Sequence, residues 1–257
     1  MKHSLKYIAL SVIAFVCTMP LLILLLLSFS KFWQFPNILP RIFTTENWAD
    51  LFSRNNNILH SFLLSAGIAL PVALASAITG FITANFIASH KKRNQLLLLT
   101  YFPFALSPVI FAVCLRFYFI KSGLAGSFFG VAGAQLIITF PYCVIFFISF
   151  FNERIKQYGY LVNTLGGSNF YAFKKAILPA AKPFFAVCFF QCFLISWFEY
   201  GLTSIIGYGK IQTLTVTVFQ YISEANIFQA ALSCCLLIIP PVIFLWINKK
   251  ILLQQVH

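Results

Sequence analysis

The chain has 257 residues, of which 60% are hydrophobic and only 9% charged, with a formal net charge of +13. A soluble domain carries roughly a quarter charged residues, so a water-soluble globular fold is excluded. The basic excess would suit a nucleic-acid partner, but membrane topology accounts for it without one.

The few charges are bunched, and the uncharged stretches between them mark the elements. Between Lys6 and Lys31 lie 24 uncharged residues, between Arg54 and Lys91 36, and between Arg93 and Arg116 22. Further along there are 31 between Lys121 and Glu153, 16 between Lys182 and Glu199, and 24 between Glu224 and Lys249. A helix needs about 20 apolar residues to cross the hydrocarbon core. Spans are therefore predicted at 7–29, 62–88, 95–117, 129–151, 184–206 and 227–247, the fifth extended past Glu199 to gain length. The runs are continuously apolar without period-two alternation, which favours helices over a barrel. The first run is too long for a signal peptide's core and lacks a small-x-small cleavage site after it.

In chain order, the external loop 30–59 holds Pro36, Pro40 and the run Asn55-Asn56-Asn57. A short interfacial helix is expected over Glu46–Phe52, with Trp48 at headgroup depth. The second span carries a small-residue ridge, Ala73, Ala77, Gly80 and Ala84, that lets another helix approach closely. Prolines 103 and 108 in the third span, 141 in the fourth and 240–241 in the sixth are expected to kink their helices. The seven cysteines all fall inside predicted spans, with no CxxC or Cys/His ligand spacing. They are read as small apolar packing residues, with no metal site, although Cys188 and Cys192 lie one turn apart and can sit side by side.

Short loops rich in Lys and Arg stay in the cytoplasm. With both termini inside, the formal charge divides as +11 inside and +2 outside. The fold class is thus an all-α membrane protein with six transmembrane helices, N-in and C-in. Residues 1–257 are read as a single transmembrane domain.

The internal segment Asn152 to Pro183 is far longer than a simple connection. From Tyr160 it reads YLVNTLGGSNFYAFKKAILPAAKP. Tyr160–Leu165 is predicted as a short helix, Gly166-Gly167 as its C-terminal turn, and Asn169–Ile177 as a second helix capped by Ser168 or Asn169 and ended by Pro179. Phe170, Phe173 and Ile177 are expected to share one face, with Lys174 beside it. A helix–turn–helix that is apolar on one side and basic at its edges suits docking into a groove on a soluble partner.

This segment resembles the EAA motif of binding-protein-dependent ABC transporter permeases. The motif glycine falls at Gly166, the aromatic at Phe173, the aliphatic position at Ala176, Leu-Pro at Leu178-Pro179 and the second proline at Pro183. The family's Glu-Ala-Ala is here Tyr160-Leu161-Val162, so its signature acid is absent. The stretches Phe102–Tyr142 and Gly207–Ala231 also look like these permeases.

The resemblance implies a permease subunit in a bacterial cytoplasmic (inner) membrane, with residues 152–183 as the coupling loop. Its implied partners are cytoplasmic ABC ATPase subunits, a second permease subunit (sister or self), an extracytoplasmic solute-binding protein and membrane lipids, with no nucleic acid. The chain has no GxxxxGK[ST] segment, so ATP and Mg are expected on the ATPase, with no cofactor, metal or catalytic residue in this chain. The resemblance is nearest to permeases for polyamine, thiamine or ferric iron. Glu199, beside Trp197 and Tyr200, is the one acid at membrane depth. It is read either as a cation-favouring group in the translocation pathway or as a residue at the water interface. Arg116 and Lys121 are expected to snorkel outward. A secondary transporter or channel without an ATPase is the alternative, but paired membrane acids and a half-to-half repeat are not evident.

Overall fold

The computed structural model describes residues 2–33, 37, 40, 42–53, 57–151, 164, 166 and 168–253. Its long elements are helices α1 (Lys2–Ser28), α3 (Asn57–Ser89), α4 (Arg93–Tyr101), α5 (Pro108–Lys121), α6 (Phe128–Phe150), α8 (Leu178–Trp197), α10 (Leu214–Ser223) and α11 (Ile227–Leu253). Shorter ones are α2 (Glu46–Ala49), α7 (Asn169–Ala172), α9 (Gly201–Gly207) and the strands β1 (Ser30–Phe32) and β2 (Ile42–Phe43). Among the described residues, five helices are long and apolar enough to cross a membrane, or six if the α4–α5 pair is one span. An all-α membrane protein is the result.

The chain divides into two compact units, residues 1–63 with 213–241 and residues 64–212 with 242–257. In the first unit, the apolar stretch of α1 buries none of its residues within the chain until Ser28 at its end. Its end is fixed by the loop that follows. Asn47 Nδ2 donates to the carbonyls of Ser28 (3.1 Å) and Ser30 (2.9 Å), and Trp48 stacks on Phe29 with ring centroids 5.4 Å apart. The expected helix over Glu46–Phe52 is present as α2 plus a 3-10 turn, Asp50–Phe52. The antiparallel pairing of Ser30 with Phe43 lies in a stretch read from sequence as loop. Lys31 Nζ meets Glu46 Oε2 at 2.7 Å, and this hydrogen bond, with the carboxylate's charge, holds the ammonium above its ordinary range.

The second unit holds the packed core. Residues Ala73, Ala77, Gly80 and Ala84 of α3 are all buried, as the small-residue ridge requires. At Gly80 the approach is closest, because a Cβ there would overlap Cys143 Cβ of α6 and crowd its backbone. Farther along, Ile68 and Val72 of α3 pack on Val131 of α6. Ala112 and Phe119 of α5 join Ala134 of α6 and Leu202 and Ile206 of α9 in one cluster.

Two predicted spans are corrected. The third is broken rather than continuous: α4 and α5 meet at 96° through a 3-10 turn, Phe102–Ala105. Proline disfavours helical dihedrals in the residue before it, and Ser107, ahead of Pro108, is extended at φ −60°, ψ 138°. The fifth span ends at Trp197, and the residues expected to lengthen it form the separate helix α9. By contrast, Pro141 and Pro240-Pro241 lie inside continuous helices.

Gly80→Leu should overpack the α3–α6 contact and lower stability by about 1–3 kcal/mol, read as a lower melting temperature in detergent. Gly133→Ala, whose added Cβ meets open space, should hold or raise it, since alanine favours a helix interior by about 1 kcal/mol. Equal melting temperatures for Gly80→Leu and wild type would contradict the close approach.

Candidate functional site

In the segment between α6 and α8, the described residues follow from local chemistry. Gly166 has φ +84°, the left-handed conformation of a helix-ending glycine. Ser168 then caps α7, accepting the backbone N–H of Tyr171 on Oγ at 3.2 Å and that of Ala172 on its carbonyl at 2.9 Å. Here the structure departs from expectation. Pro179 does not end the second helix. A π-turn, Phe173–Ile177, carries α7 directly into α8. A proline ring clashes with the carbonyl four residues earlier in a regular helix. That residue, Lys175, lies within the wider π-turn, which is where such distortions are accommodated.

Phe173 anchors this segment. Its ring lies 5.9 Å from that of Phe81 on α3. Phe81 in turn meets Phe147 and Phe151 at 5.1 Å each, and Phe185 at 6.1 Å. Edge and tilted pairings of this kind add about 0.5–1.5 kcal/mol each beyond burial. The expected shared face divides accordingly: Phe173 and Ile177 are partly buried, whereas Phe170 is 73% exposed. Tyr171, Lys174, Lys175, Leu178 and Pro179 are also exposed, and Pro183 is half-buried inside α8. Of the other expected motif positions, Tyr160, Gly167 and the side chain of Ala176 lie outside the described residues.

The second expected group, Trp197, Glu199 and Tyr200, is not brought to one surface. Trp197 is 1% exposed and stacks on Phe193 at 5.4 Å. Tyr200 is exposed at the start of α9. Glu199 is half-buried, and its carboxylate accepts the backbone N–H groups of Leu202 (2.6 Å) and Thr203 (2.9 Å) and the Thr203 hydroxyl (2.8 Å). It satisfies donors that the first turn of a helix leaves without partners. Arg116 is only partly exposed and lies 4.7 Å from the centroid of the Tyr208 ring, a cation–π contact rather than simple snorkelling.

From Thr203 the polar contacts continue through the core. Gln135 Nε2 donates to Thr203 Oγ1 at 3.0 Å, and Ser196 Oγ donates to Gln135 Oε1 at 2.5 Å. Thr139 Oγ1 donates to the Gln135 carbonyl at 3.0 Å. Its 2.5 Å contact with Ser76 on α3 is therefore one it accepts. This buried seam joins α3, α6, α8 and α9. Sequence reading missed it, although Gln135 and Thr139, four apart in an otherwise apolar span, were the available signal.

The structure is thus a multi-pass helical membrane protein with an exposed basic–aromatic segment fixed between two spans. The chain belongs to the family of binding-protein-dependent transport system inner membrane components, which it matches over residues 76–256. It is similar to the spermidine/putrescine transport system permease protein PotC of Haemophilus influenzae, 24% identical over 178 residues, covering 68% of this chain and 69% of that protein. It is also similar to sulfate permease 2, chloroplastic, of Chlamydomonas reinhardtii, 23% identical over 212 residues. That match covers 76% of this chain and 58% of the relative's length.

Glu199→Ala should fray α9, at a cost of about 1–2 kcal/mol, and hydrogen exchange of the amides of Leu202 and Thr203 should accelerate roughly five- to thirtyfold. Unchanged exchange would mean that the carboxylate does not hold the helix start.

Proposed function

We propose that this chain is the permease subunit of an ATP-driven importer in a bacterial cytoplasmic membrane, and that residues 152–183 form its coupling loop. The observation that carries this is the anchored segment: Phe173 is tied to Phe81, while Phe170, Tyr171, Lys174 and Lys175 remain exposed. A helix-sized projection of two aromatics and two cations suits a groove on a cytoplasmic ATPase subunit. The loss of Glu at Tyr160 leaves contact to these side chains instead. The strongly basic short loops support an orientation with this segment and both termini in the cytoplasm. ATP and Mg belong to the ATPase partner, a second permease subunit (sister or self) supplies the other wall of the pathway, and an external solute-binding protein delivers the solute.

In this reading, closure of the ATPase pair pushes on the loop. Because the π-turn makes α7 continuous with α8, and Phe173 couples it to α3 and α6 through Phe81, the push moves helices rather than deforming a tether. Such rigid-body rocking underlies alternating access. For the solute, a polyamine-like cation is the finer reading, supported by the name of PotC. The sulfate-named relative at similar identity weighs against it, and Glu199 gives it little help while engaged at α9.

Two measurements test this. Co-purification in mild detergent should recover an ATPase subunit with wild type and at least about tenfold less with a Phe170→Asp, Lys174→Glu, Lys175→Glu variant. Equal recovery, or no ATPase with folded wild type, overturns the coupling assignment. In cells lacking the chain, restored uptake of labelled spermidine but not sulfate supports the cation reading, and the reverse pattern overturns it.

A further inference from the structure

Beyond the transport reading, we propose that Cys143, Cys188 and Cys192 form a binding site for one soft monovalent d10 cation of the Cu(I) class. Cys143 lies on α6, and Cys188 and Cys192 lie one turn apart on α8. All three are fully buried. Their sulfurs lie within 4.8 Å of one another, and Cys143 Sγ is 3.0 Å from Cys192 Sγ. Three sulfurs bound at about 2.3 Å, the length of a metal–thiolate bond, stand about 4 Å apart around a central ion. The site thus needs only a small parting of the closest pair. Among the described residues, no other three His, Cys, Asp or Glu side chains converge in this way.

Charge selects the ion. Residues 55–90, 122–152 and 183–198, which contain the parts of α3, α6 and α8 around the site, include no Asp, Glu, Lys or Arg. An ion in this interior must be neutralised by its own ligands, because an uncompensated charge there is expensive. A monovalent ion achieves this by displacing one proton: M⁺ + Cys–SH gives Cys–S–M + H⁺, the proton leaves to water, and two neutral thiols complete the donor set. A divalent ion such as zinc requires a fourth ligand. The polar neighbours Tyr142 and Gln191 are bonded to each other, the Tyr142 hydroxyl donating to Gln191 Oε1. Soft all-sulfur donors with low coordination number favour Cu(I).

The surroundings hold the sulfurs together. Gly80 packs its bare Cα against Cys143, so α3 covers that side of the site. An ion there would pin α6 to α8, the two helices that flank the segment at 166–183.

The test uses the full-length reduced protein in detergent without oxygen, with Cu(I) supplied from a competing chelator. Wild type, and a variant with Cys17, Cys114, Cys234 and Cys235 all changed to Ala, should each hold one copper per chain. X-ray absorption of that variant should give sulfur neighbours only. Cys143→Ala and, separately, the near-isosteric Cys192→Ser should weaken binding by more than the roughly 10–100-fold that even a supporting residue costs. Silver(I), which is redox-inert, should raise the melting temperature of wild type but not of either variant. Absence of bound copper in folded wild type, oxygen or nitrogen neighbours, or undiminished binding in both single variants would overturn the site.

Discussion

The larger unit depends on how closely α3 lies against α6. A bilayer supplies no hydrophobic force to press helices together, so association relies on van der Waals contact and on hydrogen bonds that small residues permit. Ala73, Ala77, Gly80 and Ala84 form that face, and at Gly80 even a methyl group would not fit against Cys143. Two further contacts follow from this approach. Ser76 reaches Thr139 at 2.5 Å, and Phe81 enters the ring cluster that receives Phe173. A bulkier residue at Gly80 would push α3 from α6, lengthening the hydrogen bond and drawing Phe81 away from Phe173.

Two kinds of interaction therefore divide the work along α3. Toward Phe173 the contacts are apolar and aromatic, tilted and edge-on ring pairs around Phe81. Toward α9 they become directional, a chain of hydroxyl, amide and carboxylate groups that fixes helix register. Under the proposed coupling, such a division would let the aromatic end yield to a push while the polar seam holds the register of α6, α8 and α9.

Much of this was legible in the sequence, for stated physical reasons. Helix existence follows from gaps between charges, because a membrane span cannot carry many. The ridge on α3 and the cap at Ser168 follow from spacing and side-chain chemistry. Less visible were features set by backbone competition and tertiary contact. Pro103 and Pro108 gave a kink signal, but not that they would turn the chain by 96° while Pro141 stays within a continuous helix. Pro179 reads locally as a stop, and only the π-turn before it allows the helix to continue. Phe170 and Phe173 look equivalent by periodicity, and their opposite fates depend on where Phe81 stands. Glu199 reads as a lone membrane acid, and its role emerges only once α9 exists as a separate helix needing partners for its first N–H groups. The convergence of Cys143 with Cys188 and Cys192 joins positions far apart in the chain, which spacing cannot reveal.

The state of the polar seam also bears on where a solute can pass. Gln135 uses its amide nitrogen on Thr203 and its oxygen on Ser196, and Thr203 uses its hydrogen on Glu199. Thr139 likewise donates to the Gln135 carbonyl and accepts from Ser76. Breaking such a buried network without replacement costs about 1–3 kcal/mol per stranded group, so it is a poor surface for a passing solute to compete with. A path through the interior of this unit would have to dismantle the contacts that set its register. A path along its outer face would not. In the proposed assembly this favours a pathway walled by a second permease subunit, with solute choice left to exposed side chains rather than to Glu199.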